Sequence, residues 1–131
     1  MREILFRGKR TCNNEWVEGG FHSRFEKAYI IGITKTEKID GTEVIPKTAG
    51  QYTGLTDKNG KKIFEGDIVK AKDDVLGSPF CNGIIGKIVY DECAFFIEPK
   101  NPMDSQWLFD ECAVYEIIGN IHDNPELLKG E

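Results

Sequence analysis

Long apolar segments are absent from this sequence of 131 residues. Its apolar runs, such as Tyr29-Ile30-Ile31 and Ala94-Phe95-Phe96-Ile97, are far shorter than the roughly 20 residues that cross a bilayer as a helix. Charged residues interrupt the apolar side chains of the first ten residues. These residues therefore lack the apolar segment of about 7–15 residues that a secretory signal needs. We therefore expect a cytoplasmic protein without a membrane partner.

Methionine is scarce, with 2 residues, whereas glycine is abundant, with 14. Glycine is unfavourable inside helices and common in turns, so this composition argues against a bundle of long helices and for many turns. The 17 basic and 22 acidic residues give a net charge of −5, and 40% of the residues are hydrophobic, which is typical of a globular chain. This length predicts a single domain over residues 1–131.

Closely spaced metal ligands are also missing. The four cysteines include no pair separated by the two to four residues that structural zinc sites use; they are Cys12, Cys81, Cys93 and Cys112. Without a secretory signal, the thiols are expected to be reduced.

The acidic doublets fall in predicted turns or loops, where solvated charges are normal: Asp73-Asp74, Asp91-Glu92 and Asp110-Glu111. We expect no bound metal and no other cofactor.

The two histidines, His22 and His122, are the only candidates for a catalytic imidazole base. His122 precedes Asp123, but neighbouring side chains on an extended segment point to opposite faces and form no dyad by themselves. The sequence therefore predicts no catalytic residues. A metal-dependent or thiol enzyme is the least favoured of the functions considered.

The N-terminal third has the pattern of short strands. Residues 16–18 and 21–25 flank Gly19-Gly20, which predicts a hairpin that turns at the two glycines. Residues 29–34 are rich in β-branched and aromatic side chains and predict a further strand. Residues 1–43 are thus expected to form N-terminal strands and a hairpin.

Two turns organise the centre of the sequence. Asn59-Gly60 predicts a hairpin with positive φ at both central positions, and Glu65-Gly66-Asp67 predicts a tight turn into another strand. The apolar spacing in residues 83–90 also fits a helix, but two glycines and the β-branched content favour a strand that is bulged or bent at Gly86. These strands predict a β-barrel-like core over residues 44–122.

The predicted fold class is mainly β, all-β or β-rich α+β. A small curled sheet or an SH3-like, partly open barrel would bury one apolar face of so short a chain. Asn124-Pro125 places a capping residue before proline at the first helical position, so residues 123–131 are expected to form a short helix and a tail.

Charge is distributed unevenly along the chain. Residues 1–50 carry nine basic and seven acidic residues, net +2, whereas residues 51–131 carry eight and fifteen, net −7. Lys58, Lys61 and Lys62 nevertheless cluster at the predicted Asn59-Gly60 turn. Cations beside aromatic side chains can bind single-stranded nucleic acid, although lysines also keep exposed hairpin edges soluble.

The sequence resembles the YopX family of bacteriophage and prophage proteins. The resemblance is carried by the block Gly50-Gln51-Tyr52-Thr53-Gly54-Leu55, by residues 56–69 with the Glu65-Gly66-Asp67 turn, and by the two ends, residues 2–7 and 114–128. The resemblance implies an origin in a bacterial mobile element, and therefore a location in a bacterial host cell. It also implies a compact, mainly β domain. It supplies no catalytic or binding residue.

These observations favour a non-enzymatic accessory protein that binds an unknown protein partner or forms a homo-oligomer. The alternative is a nucleic-acid-binding β domain that uses the basic hairpin at residues 58–62. The predicted interaction surface is the central hairpin and the turn that follows it: Tyr52, Lys58, Asn59, Lys61, Lys62, Phe64 and Asp67.

Overall fold

The computed structural model describes residues 3–33, 39–72, 83–108 and 113–128. The chain forms two compact units, Met1–Gly54 and Leu55–Glu131. Within the described residues the fold is mainly β, as predicted, with two antiparallel sheets and no closed barrel. The expected single domain, divided at residues 43 and 122, remains a prediction.

The first unit is an antiparallel sheet with the strand order β4-β3-β2-β1-β5. Its strands are β1 (Phe6–Lys9), β2 (Trp16–Arg24), β3 (Lys27–Ile33), β4 (Ile39–Val44) and the first part of β5 (Gly50–Thr56), with a short 3-10 helix at Pro46–Thr48 before β5. The last two residues of β5, Leu55 and Thr56, belong to the second unit. Ala28, Ile30 and Val44 are its buried core. The β-branched and apolar positions therefore face inward at alternate residues, as expected for a sheet that is buried on one face.

The second unit contains an antiparallel sheet with the order β10-β9-β8-β7-β11, and its β6 lies beside the end of β5. Its elements are β6 (Lys62–Phe64), β7 (Asp67–Lys72), β8 (Ile84–Asp91), β9 (Ala94–Glu98), β10 (Gln106–Trp107), β11 (Val114–Asn120) and 3-10 helices at Pro102–Asp104 and Pro125–Leu128. The last of these confirms the predicted short helix after Asn124. The buried core comprises Ile63, Val69, Ala71, Ile88, Phe95, Ile97, Leu108 and Tyr115.

The predicted turn at Gly19-Gly20 is wrong, because β2 runs through both glycines. Gly19 pairs with Phe6 of β1, and Gly20 pairs with Ile31 of β3, so β2 changes partner strand between them. A Cβ atom on Gly19 would lie 2.3 Å from the carbonyl oxygen of Ile31. Gly19 thus allows β2 and β3 to approach each other closely. The chain reverses direction later, at Phe25 and Glu26.

The strand predicted at residues 83–90 is confirmed as β8, but Gly86 pairs regularly with Val69. A Cβ atom at Gly86 would lie 2.7 Å from the carbonyl oxygen of Glu98, so this glycine also permits close packing. The register shift in this sheet occurs instead in β11, between Ile117 and Gly119.

Candidate functional site

The central hairpin is built around the carboxylate of Asp57. Its Oδ1 accepts hydrogen bonds from the backbone N–H groups of Asn59 and Lys61, both at 2.9 Å. Gly60 has φ +81°, but Asn59 does not have positive φ. The hairpin is therefore confirmed, but the predicted turn with positive φ at both central residues is not. The observed turn is longer and ends in a glycine with positive φ. The Asp57 side chain favours this turn because it satisfies two backbone donors.

Asp57 also joins the hairpin to β11. Its Oδ2 accepts a hydrogen bond from Ile117 N at 3.2 Å, and Lys58 N donates to the Tyr115 carbonyl at 2.9 Å. Burial raises the pKa of the Asp57 carboxyl, but the backbone donors of Lys61, Ile117 and Asn59 and the charge of Lys61 lower it, so the pKa lies below its ordinary value. The carboxylate is held in its charged form by these donors.

The second central turn is held by Asp67 and Gly66. Asp67, which is buried, accepts a hydrogen bond at Oδ2 from Phe64 N at 2.8 Å. Gly66 has φ +94°, donates from its N–H to Ile88 and accepts from Ile121 N. The Glu65-Gly66-Asp67 segment is therefore the tight turn that the sequence predicted, and its buried acid stabilises the corner.

The predicted interaction residues differ in their exposure. Tyr52, Phe64 and Asp67 are buried, so their side chains belong to the interior of their units. Lys62 is half-buried, whereas the remaining residues are exposed: Lys58, Asn59 and Lys61. The accessible part of this surface is thus small and polar, and the aromatic side chains expected beside the lysines are not available for stacking.

Lys58 is drawn towards a neighbouring strand. Its Nζ lies 3.6 Å from Oε1 of Glu116, and both side chains are partly exposed. An ion pair of this kind contributes little to stability, but it offsets the charge of one of the three clustered lysines. Lys58 is therefore less available to an anion than its exposure alone indicates.

Thiols and histidines do not converge within the described part of the chain. Cys12 and Cys93 are free and exposed, and the described residues hold no group of three or more His, Cys, Asp or Glu side chains suited to a metal. Cys81, Cys112 and the doublets at residues 73–74 and 110–111 lie outside the described residues. The Asp91-Glu92 doublet is exposed at the end of β8, as expected for a hairpin.

An apolar patch that the sequence pattern did not indicate lies on the outward face of the second sheet. Trp107 is opposite Phe96, and Phe96 is opposite Val89, so the three side chains share one face with Ile85. The rings of Phe96 and Trp107 are 4.9 Å apart, and Trp107 is 61% exposed. We call Ile85, Val89, Phe96 and Trp107 the β8–β10 patch.

A charged pair borders this patch. Lys87 and Glu98, which are paired in register next to Val89 and Phe96, form an ion pair with Nζ–Oε2 of 3.5 Å. Only the pairing of β8, β9 and β10 brings these residues together, because they come from separate segments of sequence.

Comparisons with known proteins give a consistent family and fold. The family model described as YopX protein matches residues 5–129. Protein yopX from Bacillus subtilis has a similar structure, with a TM-score of 0.59, 17% identity and coverage of 98% of this chain and 99% of that one. Protein EF1440 from Enterococcus faecalis has a TM-score of 0.54, 25% identity and coverage of 98% and 99%. No curated protein matches the chain.

The described residues contain no helix long and apolar enough to span a bilayer. Their helical segments are the three 3-10 turns of three or four residues.

Proposed function

The chain belongs to the YopX family, and from this premise we propose that it is a phage- or prophage-derived accessory protein that binds a protein partner in the bacterial cytoplasm. The observation that carries the proposal is the β8–β10 patch, with the exposed Trp107 packed on Phe96. Tryptophan and phenylalanine are enriched at protein interfaces, where a few large side chains contribute most of the binding energy.

The layout of the patch supports a protein ligand. Its apolar centre, Val89, Phe96 and Trp107, is bordered by the Lys87–Glu98 ion pair, which matches the usual arrangement of an apolar centre and a polar rim. Trp107 lies in β10, a strand of two residues at the edge of the sheet. A partner can therefore reach the ring from the side as well as from above.

The buried acids of the second unit stabilise turns, so we do not assign them a catalytic role. Burial and specific charges can adapt a carboxylate for proton transfer. Asp57 and Asp67 instead accept hydrogen bonds from backbone N–H groups of the turns that they stabilise. Both side chains thus have a structural role in the described geometry.

The test uses the tagged full-length chain to capture proteins from bacterial cells before and after prophage induction. A captured candidate is then purified, and its affinity is measured by calorimetry. Replacing Trp107 by alanine should weaken binding about 30-fold, as expected for an interface hot spot. Val114→Ala is the matched control, because Val114 is an exposed apolar residue of the same sheet, on β11.

Equal affinity of the Trp107→Ala variant and the unaltered chain would contradict the role of the patch. Failure to reconstitute any captured complex from purified components would contradict the proposed function itself.

A further inference from the structure

The hairpin between β2 and β3 exposes an aromatic side chain on a strained turn. Arg24 is paired with Lys27, so the loop consists of Phe25 and Glu26 alone, with φ +51° and +65°. Turns of this geometry favour asparagine and glycine, and a bulky residue in the left-handed region is an outlier. Such strain is concentrated at binding and active sites. Phe25 is nevertheless 82% exposed.

A groove opens beside this turn. It has a volume of about 300 Å³, and its apolar lining includes Phe21, Phe25 and Pro46. Phe21 is itself partly exposed and stacks on Phe6, with ring centroids 5.2 Å apart. This volume is at the small end of ligand sites, which suits one flat ring and its substituent rather than a large ligand.

Cations flank the groove. The guanidinium of Arg24 lies 4.9 Å from the centre of the Phe25 ring, and Lys27 follows on the opposite strand of the hairpin. Glu26 is the only acid that lines the groove in the described structure, which leaves its lining with a net positive charge. The surrounding residues 1–50 have a net charge of +2, whereas the rest of the chain has −7.

We infer that the groove beside this hairpin, lined by Phe21, Arg24, Phe25, Lys27 and Pro46, binds single-stranded nucleic acid. One base enters the groove and stacks on Phe25, and the adjacent phosphates contact Arg24 and Lys27. Stacking on an aromatic ring together with a flanking cation is the general means by which proteins hold unpaired strands. Complementary charge favours this polyanion over an apolar protein segment. The inference goes beyond the proposed protein-binding function, since it concerns another unit and another class of ligand.

The first test measures the anisotropy of a fluorescein-labelled oligothymidylate of about 12 nucleotides, titrated with the full-length chain at low salt. Phe25→Gly should weaken binding about tenfold, because it removes the stacking ring. Glycine accepts positive φ, so this variant keeps the turn. Cys93→Gly is the matched control, since Cys93 occupies a two-residue turn with φ +65° between β8 and β9 and should leave affinity unchanged.

The second test measures the salt dependence of binding between about 50 and 200 mM salt. Arg24→Gln should reduce the slope of log K against log salt by about 0.7, the value for one phosphate contact on a single strand. Lys61→Gln removes one exposed charge from the central hairpin and should leave the slope unchanged.

No binding at the lowest salt, or equal binding by the Phe25→Gly variant, would overturn the inference. A reduced slope for Lys61→Gln with no change for Arg24→Gln would place the contact on the central hairpin and would also overturn it. If the chain binds a protein through Trp107 but not the oligonucleotide, this inference fails and the proposed function stands.

Discussion

Asp57 illustrates how much of this fold depends on a single side chain. Its two oxygens accept three backbone hydrogen bonds, from Asn59, Lys61 and Ile117, and so hold the central hairpin against β11. A neutral amide keeps one acceptor oxygen and presents an N–H₂ group in place of the other. A carboxylate, unlike the amide, can therefore accept at both oxygens, and this structural role is the one that we assign to Asp57.

We predict that Asp57→Asn lowers the free energy of unfolding by about 1–3 kcal/mol at pH 7, because a buried N–H donor loses its acceptor. Urea denaturation followed by circular dichroism measures this loss. Asp91→Asn is the control, since Asp91 is exposed and accepts a local hydrogen bond from the N–H of its neighbour Glu92. A loss for Asp57→Asn no larger than that for Asp91→Asn would contradict the prediction.

The same substitution should have a pH-dependent effect. The pKa of Asp57 is lowered in the folded state, so its contribution is complete above the unfolded pKa of about 4 and is lost as the pH falls through the folded pKa. The stability difference between the unaltered chain and Asp57→Asn should therefore shrink from pH 7 to about pH 3. A difference that is constant or grows towards acid pH would show that the charge of Asp57 is not what stabilises the turn.

Among the elements, β2 shows how neighbouring glycines can have different roles. Gly19 lies where β2 pairs with β1, against the backbone of Ile31, while Gly20 already pairs with β3. A Cβ atom would meet the Ile31 carbonyl oxygen at 2.3 Å from Gly19 but at 3.7 Å from Gly20. The first distance is a clash with backbone, and the second is an ordinary contact.

Gly19→Ala should therefore destabilise the protein by about 1–3 kcal/mol, since the strands must move apart to admit the methyl group. Gly20→Ala is the adjacent control and should change stability by no more than about 0.5 kcal/mol. Thermal and urea denaturation compare the two variants. Equal stability of the two would contradict the close approach seen at Gly19.

At the scale of the whole molecule, each unit has its own hydrophobic core. Among the described residues, the packed core cluster has three buried members in the first unit and eight in the second. Val44 and Ile97 are completely buried in these respective cores. The loss of stability caused by a cavity rises with the side-chain volume removed. Replacement by alanine should therefore destabilise the protein more at Ile97, the larger residue, than at Val44.

We predict a loss of about 3 kcal/mol for Ile97→Ala and about 2 kcal/mol for Val44→Ala in urea denaturation. Ile85→Ala should cost about 0.5 kcal/mol, because Ile85 is 43% exposed on a strand of the same sheet. If Ile85→Ala lowered the free energy of unfolding as much as Ile97→Ala does, Ile85 could not lie on the exposed face and Ile97 on the buried face of this sheet.

Short-range chemistry explains which elements were predictable. The Glu65-Gly66-Asp67 turn and the short helix after Asn124 depend on residues within a few positions of one another, and both are confirmed. The location of the Asn59-Gly60 hairpin is also confirmed, but its turn type depends on Asp57, which is fixed by Ile117, 60 residues away. Gly19-Gly20 has the composition of a turn. Only the pairing of β2 with β1 on one side and with β3 on the other shows that the strand continues through both glycines.

The sequence alone determined the mainly β fold, the family and the position of the central turns, because alternation, β-branched content and turn residues act locally. Tertiary structure decided which aromatic side chains are accessible: Tyr52 and Phe64 are buried, whereas Phe25 and Trp107 are exposed. Exposure depends on strand register and on which face of each sheet is covered. Both proposed binding surfaces therefore became visible only once the strands were paired.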